Sequence, residues 1–189
     1  MKKNPKQLAK KAAANASYLE LFFPIHYIVG ITIEDVLRSG MLTRQQTCIL
    51  WLIRAQGDGG RSMRRKEIER SLAAWFEITS SAVSKALRGL AREPLKMITI
   101  SEDPDSGREK LVHLTAHGER FLERAIDNGN ALMQWMTDQL SPEEIDSGIH
   151  FLTRVSEIFA QLPPSGGGLV DRIPGIKPAR PGPVKKDTG

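Results

Sequence analysis

Cysteine is nearly absent. Cys48 is the single one among 189 residues, which excludes an internal disulfide framework and fits a reducing compartment. Histidine is scarce as well: His26, His113, His117 and His150 fall in different expected elements. His113 and His117 are four apart but straddle a strand–helix junction, so paired-ligand geometry along a helix does not apply. There is no zinc-spaced Cys/His cluster, no phosphate-binding glycine loop and no nucleophile elbow. The run Gly57-Asp58-Gly59-Gly60 lacks the lysine and the following helix of a P-loop. These absences speak against an enzyme and imply neither cofactor nor metal. A signal peptide is not recognisable either. The apolar run Tyr18–Ile33 lies too deep, contains Glu20 and His26, and lacks a cleavage site. The same run reads as too short and too interrupted to span a bilayer. The expectation is a cytoplasmic chain with no membrane partner.

Charge is present but unevenly spread. The net charge is +5. Residues 1–11 hold five lysines and no acid. Residues 61–96 hold nine Lys/Arg against four Glu, whereas residues 117–162 hold three Arg against eight acids. A basic block beside an acidic one makes a directional field, and a basic face is the footprint expected for nucleic acid.

The most informative stretch runs from Thr79 to Thr115. Thr79, Ser80 and Ser81 can each cap a helix N-terminus. Val83, Ala86, Leu87 and Leu90 follow at i, i+3, i+4 and i+7, one face of an amphipathic helix. The other face carries Ser81, Ser84, Lys85, Arg88 and Arg92, with no acid before Glu93. Pro94 ends the helix. Met97–Ile100 and Lys110–Leu114 read as two short strands, joined by a turn-rich tip over residues 102–108. A recognition helix followed by a wing fits this order, because a helix enters the major groove and an arginine suits a narrow minor groove.

The flanks extend the pattern. Residues 1–17 read as a frayed helix start or a basic arm. Tyr18–Leu37 is apolar nearly all round, which implies burial on several sides and hence a subunit interface. Pro24 marks a kink or a helix start. Ser39-Gly40 breaks the helix, and Thr43 with Gln46 forms a capping box for the next. Its stripe is Cys48, Ile49, Leu52 and Ile53, which makes Cys48 a core residue. Residues 61–72 contain a third helix with Ser62 as its cap. Thr115 caps a long helix. Ser141-Pro142-Glu143-Glu144 starts the last one. Residues 163–189 are Pro- and Gly-rich and basic, and read as disordered.

This order of parts resembles the MarR family of winged helix-turn-helix regulators. The matching residues are Leu42-Thr43-x-x-Gln46-x-x-Ile49-Leu50-Trp51-Leu52, Thr79-Ser80-Ser81-Ala82-Val83-Ser84-Lys85-Ala86-Leu87-x-x-Leu90, Asp103-Pro104-Asp105-Ser106-Gly107-Arg108 and Leu114-Thr115-x-x-Gly118. The resemblance spans about residues 18–162 and implies a mainly α fold with a small β-hairpin wing (α+β). It divides the chain into a basic arm (1–17), a helical dimerisation region (18–40 and 116–162), a winged helix-turn-helix domain (41–115) and a tail (163–189). It implies a homodimeric, sequence-specific regulator of double-stranded DNA, a repressor, with a small-molecule effector. By resemblance and charge the DNA-binding residues are Thr79, Ser80, Ser81, Ser84, Lys85, Arg88 and Arg108, with Arg64 and Arg65. Where the family wing reads Asp-Arg-Arg, this chain has Ser106-Gly107-Arg108, so Asp105 is expected to buttress Arg108. The Leu72-to-Thr79 connection is long for the family. The rival reading is a winged-helix dimer that serves as a protein-interaction module without a specific operator.

Overall fold

The computed structural model describes residues 5–76 and 78–161, with side chains from residue 10 onward. The expected disordered tail lies outside the described residues. The chain forms two compact units, one ending at Met136 and the other starting at Thr137.

The first unit opens with a helix. Helix α1 spans Pro5–Pro24, so the basic stretch is helical over its described residues. Pro24 does not break the run. A π-helical turn, Ile25–Gly30, follows it and leads directly into α2, Ile31–Arg38. Proline removes one ladder hydrogen bond and crowds the carbonyl one turn back, and a widened turn accommodates that. The expectation that this run is too short and too interrupted to span a bilayer is therefore corrected. Lys10–Arg38 is 29 residues of helix, long and apolar enough by length and composition to cross a membrane. From Tyr18 to Val29 its large apolar side chains are exposed, Leu19 by 73% and Phe23 by 66%. Ser39 and Gly40 then adopt positive φ and end α2.

Helix α3, Arg44–Gln56, starts in the expected capping box. Thr43 Oγ1 accepts from the Gln46 N–H at 3.3 Å, and Gln46 Oε1 accepts from the Thr43 N–H at 2.9 Å. Ile49, Leu50, Leu52 and Ile53 are fully buried. Cys48 is only half-buried, at the edge of this core.

Two expectations about the next segment fail. Ser62 does not cap a helix; it opens strand β1, Ser62–Arg64, and pairs with His113. Helix α4 begins only at Arg65 and runs to Trp75, three residues beyond Leu72. The link to the following helix α5, Ser80–Ala91, is thus residues 76–79 and is short. Three residues are too few to show strand periodicity, and the pairing that defines β1 comes from far along the chain.

The hairpin is longer than its composition suggests. Strands β2, Ile98–Asp103, and β3, Ser106–Leu114, extend the ladder into the polar segment, and only Pro104 and Asp105 form the turn. A two-stranded ribbon is solvated on both faces, so its residues look like a loop while their backbones pair. The sheet is antiparallel with order β1-β3-β2. Helix α6, Ala116–Thr137, closes the core with Phe121, Leu122 and Ala125. Thr115 caps it, accepting from the Gly118 N–H at 3.1 Å. Gly118 has to lack a side chain, because a Cβ there would run into the Met97 carbonyl.

In the second unit, α7 spans Pro142–Ala160 and starts in the expected capping box of Ser141 and Glu144. Ile149, Leu152 and Phe159 on it are exposed.

Candidate nucleic-acid interface

Helix α5 is the element from which the site is built. Val83, Ala86, Leu87 and Leu90 are buried and fix its inner face. Thr79 Oγ1 accepts from the Ala82 N–H at 3.2 Å and lies 3.0 Å from Ser81 Oγ. This cap sets the start of the helix. The outer face leaves Ser81, Lys85, Arg88 and Arg92 exposed. No carboxylate among the described residues pairs with Lys85 or Arg88.

The other sequence-predicted residues divide differently. Ser80, exposed, and Ser84, half-buried, are tied to α4. Arg65 Nη2 donates to Ser84 Oγ at 3.0 Å, to Ser80 Oγ at 3.2 Å and to Glu69 Oε1 at 2.7 Å. Ser80 Oγ also donates to Glu69 Oε1 at 2.8 Å, and Ser84 Oγ to the Ser80 carbonyl at 2.8 Å. Partial burial pushes the Glu69 carboxyl up, but the hydrogen bonds from Ser80 and Arg65 outweigh it and leave it below the usual range. Arg65 therefore docks α4 onto the start of α5.

Arg64 is held by the wing. Its Nε donates to Asp103 Oδ2 at 2.6 Å, and its Nη2 lies 3.7 Å from Asp105. The Asp103 side chain is only 3% exposed. The hydrogen bond from Arg64, then that from the Asp105 N–H at 3.0 Å, holds its carboxyl below the usual value of 3.8. The same bond raises Arg64. The expected buttress is thus corrected: the acids at the turn hold Arg64, and among the described residues no carboxylate pairs with Arg108. Arg108 sits on β3 rather than at the tip, and it is exposed.

Sequence reasoning missed Asp103 and Glu69 as parts of the site. The one available signal was Arg65 with Glu69 at i, i+4 on a helix. The other partners are 39 residues away for Arg64–Asp103 and 19 for Arg65–Ser84.

A second feature is an apolar cavity of about 160 Å³ lined by Leu37, Cys48, Trp51 and Trp75. Arg44 and Glu34, paired at 2.5 Å, stand at it. Burial pushes the Cys48 thiol up, and Glu34 adds to this. A raised thiol holds little thiolate at neutral pH, which argues against a reactive cysteine.

Comparison with known proteins now bears on this geometry. Residues 42–118 match the family model described as a winged helix DNA-binding domain. Comparison with curated proteins gives no match. Among solved structures, the chain is similar to MepR, a transcription regulator of the Staphylococcus aureus multidrug efflux pump MepA. The two are 26% identical with a TM-score of 0.58, over 75% of this chain and 96% of MepR. It is also similar in fold to a MarR family transcription regulator, at 14% identity and a TM-score of 0.65, over 82% of this chain and 95% of that one. A further match is Bordetella bronchiseptica BpsR, whose DNA binding is regulated by 6-hydroxynicotinic acid. That pair is 22% identical with a TM-score of 0.52, over 73% of this chain and 98% of BpsR. Residues 42–118 form a winged helix DNA-binding domain, and the chain has the mostly helical fold with a small antiparallel wing that these transcription regulators share.

Proposed function

We infer that this chain is a sequence-specific regulator of double-stranded DNA that acts as a homodimer on an inverted repeat and, by family resemblance, as a repressor in the cytoplasm. The observation that carries this reading is the exposed face of α5. Lys85 and Arg88 stand on a capped helix whose inner face is locked into the core, and neither is neutralised by a carboxylate among the described residues. Such a helix fits the major groove, and its cations reach phosphates and base edges there. Thr79 and Ser81 lie at its exposed start. Arg108, exposed on the wing, is suited to an A·T-rich minor groove.

The homodimer rests on the exposed apolar side chains of Lys10–Arg38 and of α7. Contiguous apolar surface of this kind marks an interaction site. BpsR responds to an aromatic acid, and by analogy the cavity lined by Trp51 and Trp75 is the place for a small planar effector of this chain.

Selection of bound duplexes from a random pool tests the reading. Recovery of one inverted repeat supports a dimeric operator-binding protein. Recovery of no preferred sequence supports the interaction module instead.

A further inference from the structure

Arg64 and Arg65 are neighbours at the junction of β1 and α4, and they serve two different elements. Arg64 is the last residue of β1 and pairs with Leu111. Past that point the sheet is only the two-stranded ribbon of β2 and β3, with Glu102 opposite Lys110 and Asp103 opposite Ser106. A bare two-stranded ribbon is weakly held in water. The Arg64 guanidinium reaches along it to Asp103, whose other oxygen accepts from the Asp105 N–H at 3.0 Å. One carboxylate thus ties the turn to β1. One residue later, Arg65 ties α4 to the start of α5 through Ser80, Ser84 and Glu69. A single stretch of backbone is therefore fastened to the wing on one side and to the recognition helix on the other.

We propose that Arg64 and Arg65 form a coupler that fixes the spacing of wing and recognition helix, with Asp103 and Glu69 as its acceptors. All four are positioning residues that set DNA specificity. The inference rests on the DNA-binding reading of α5 and the wing. It reassigns Arg64 and Arg65, which charge alone marks as DNA contacts. Arg64 Nε and Arg65 Nη2 are each engaged by a carboxylate of the protein, in charge-assisted bonds that are stronger than neutral ones, while Arg65 Nε is buried without a hydrogen-bond partner.

The proposal has a sign that simple electrostatics does not share. Asp103 and Glu69 are negative charges within the DNA-binding domain. If they act only through charge they repel phosphate, and neutralising either one strengthens binding to every duplex. If they hold the coupler, neutralising either one frees a reading element and weakens binding to the preferred sequence alone.

The test uses the full chain with Asp103→Asn and, separately, Glu69→Gln. Affinity is measured for the duplex recovered by selection and for a random-sequence duplex of equal length, well below each variant's melting temperature. The expected result is a loss on the order of tenfold for the selected duplex, with affinity for the random duplex unchanged or raised. A fall in the ratio of the two affinities is a change that a purely structural defect would not produce, because loss of folded protein lowers both alike. Equal or tighter binding of the selected duplex by both variants overturns the coupler, and so does a parallel loss on both duplexes. If Asp103→Asn does not fold, Glu69→Gln decides alone. A wild type that binds the two duplexes alike overturns the DNA reading itself, and the coupler with it.

Discussion

The winged domain and the helical run before it are both rich in large apolar side chains and reach opposite states. In the winged domain Ile49, Leu50, Leu52, Ile68, Leu72 and Leu90 have no exposed surface. In Lys10–Arg38 the large apolar side chains of Leu19, Phe22, Phe23 and Ile28 all face outward. The first region is finished within one chain. The second has the surface of an interface, whose covering has to come from elsewhere. The difference shows that periodicity reports which residues are to be buried and leaves open by what.

The sharpest way to break this contrast is to delete equal atoms from both regions. Leu90→Ala removes a fully buried side chain and should cost about 2–5 kcal/mol of unfolding free energy, measured by denaturant titration. Leu19→Ala, from an exposed site, should change the stability of the winged domain far less. A comparable loss at Leu19 would show that the helical run is part of the same core.

A second variant acts on the unfinished region alone. Leu19→Glu with Phe22→Glu should convert the proposed homodimer to a monomer, since each apolar side chain withdrawn from an interface removes about 1.5–3 kcal/mol of burial. Light scattering at low micromolar concentration reads the mass. A wild-type monomer at that concentration contradicts the second-copy explanation of the exposed face.

Legibility in the sequence follows the same division. Local signals were readable: the caps at Thr43, Thr79, Thr115 and Ser141, the inner stripe of α5, and the breaks at Ser39-Gly40 and Gly57. Each depends on residues three or four apart. What was not readable depends on distant partners. Strand β1 exists because Met63 meets Val112. The pairing of Arg64 with Asp103 was hidden because the two lie 39 residues apart. The tip at residues 102–108 looked like a turn throughout because a solvated ribbon carries turn-like residues on both faces.

Smaller effects separate contact residues from positioning residues within the winged domain. Arg88→Ala and Lys85→Ala should each weaken binding to the selected duplex by about 1–3 kcal/mol if they touch a base, with little change in melting temperature. A phosphate contact would instead weaken all duplexes alike and reduce the salt dependence. Unchanged binding in both variants would place the reading face elsewhere.

The smallest expected effect is on acid stability. The Asp103 carboxyl is held below its ordinary value of 3.8 by Arg64 and the Asp105 N–H. A depressed folded value means that its stabilisation is complete above the unfolded value and is lost as pH falls through the folded one. The melting-temperature difference between wild type and Asp103→Asn should therefore persist from pH 8 to 5 and close below about pH 4. A difference that grows toward low pH would contradict the pairing.

The account as a whole rests on α5 reading DNA, and one titration addresses that most directly. Wild-type affinity is measured over a salt series for the selected duplex and for a random duplex. The account predicts a steep fall of both with salt, from displaced counterions. It also predicts that the selected duplex stays tighter by about 10³-fold or more throughout. Two coincident lines, with salt dependence but no preference, would contradict it.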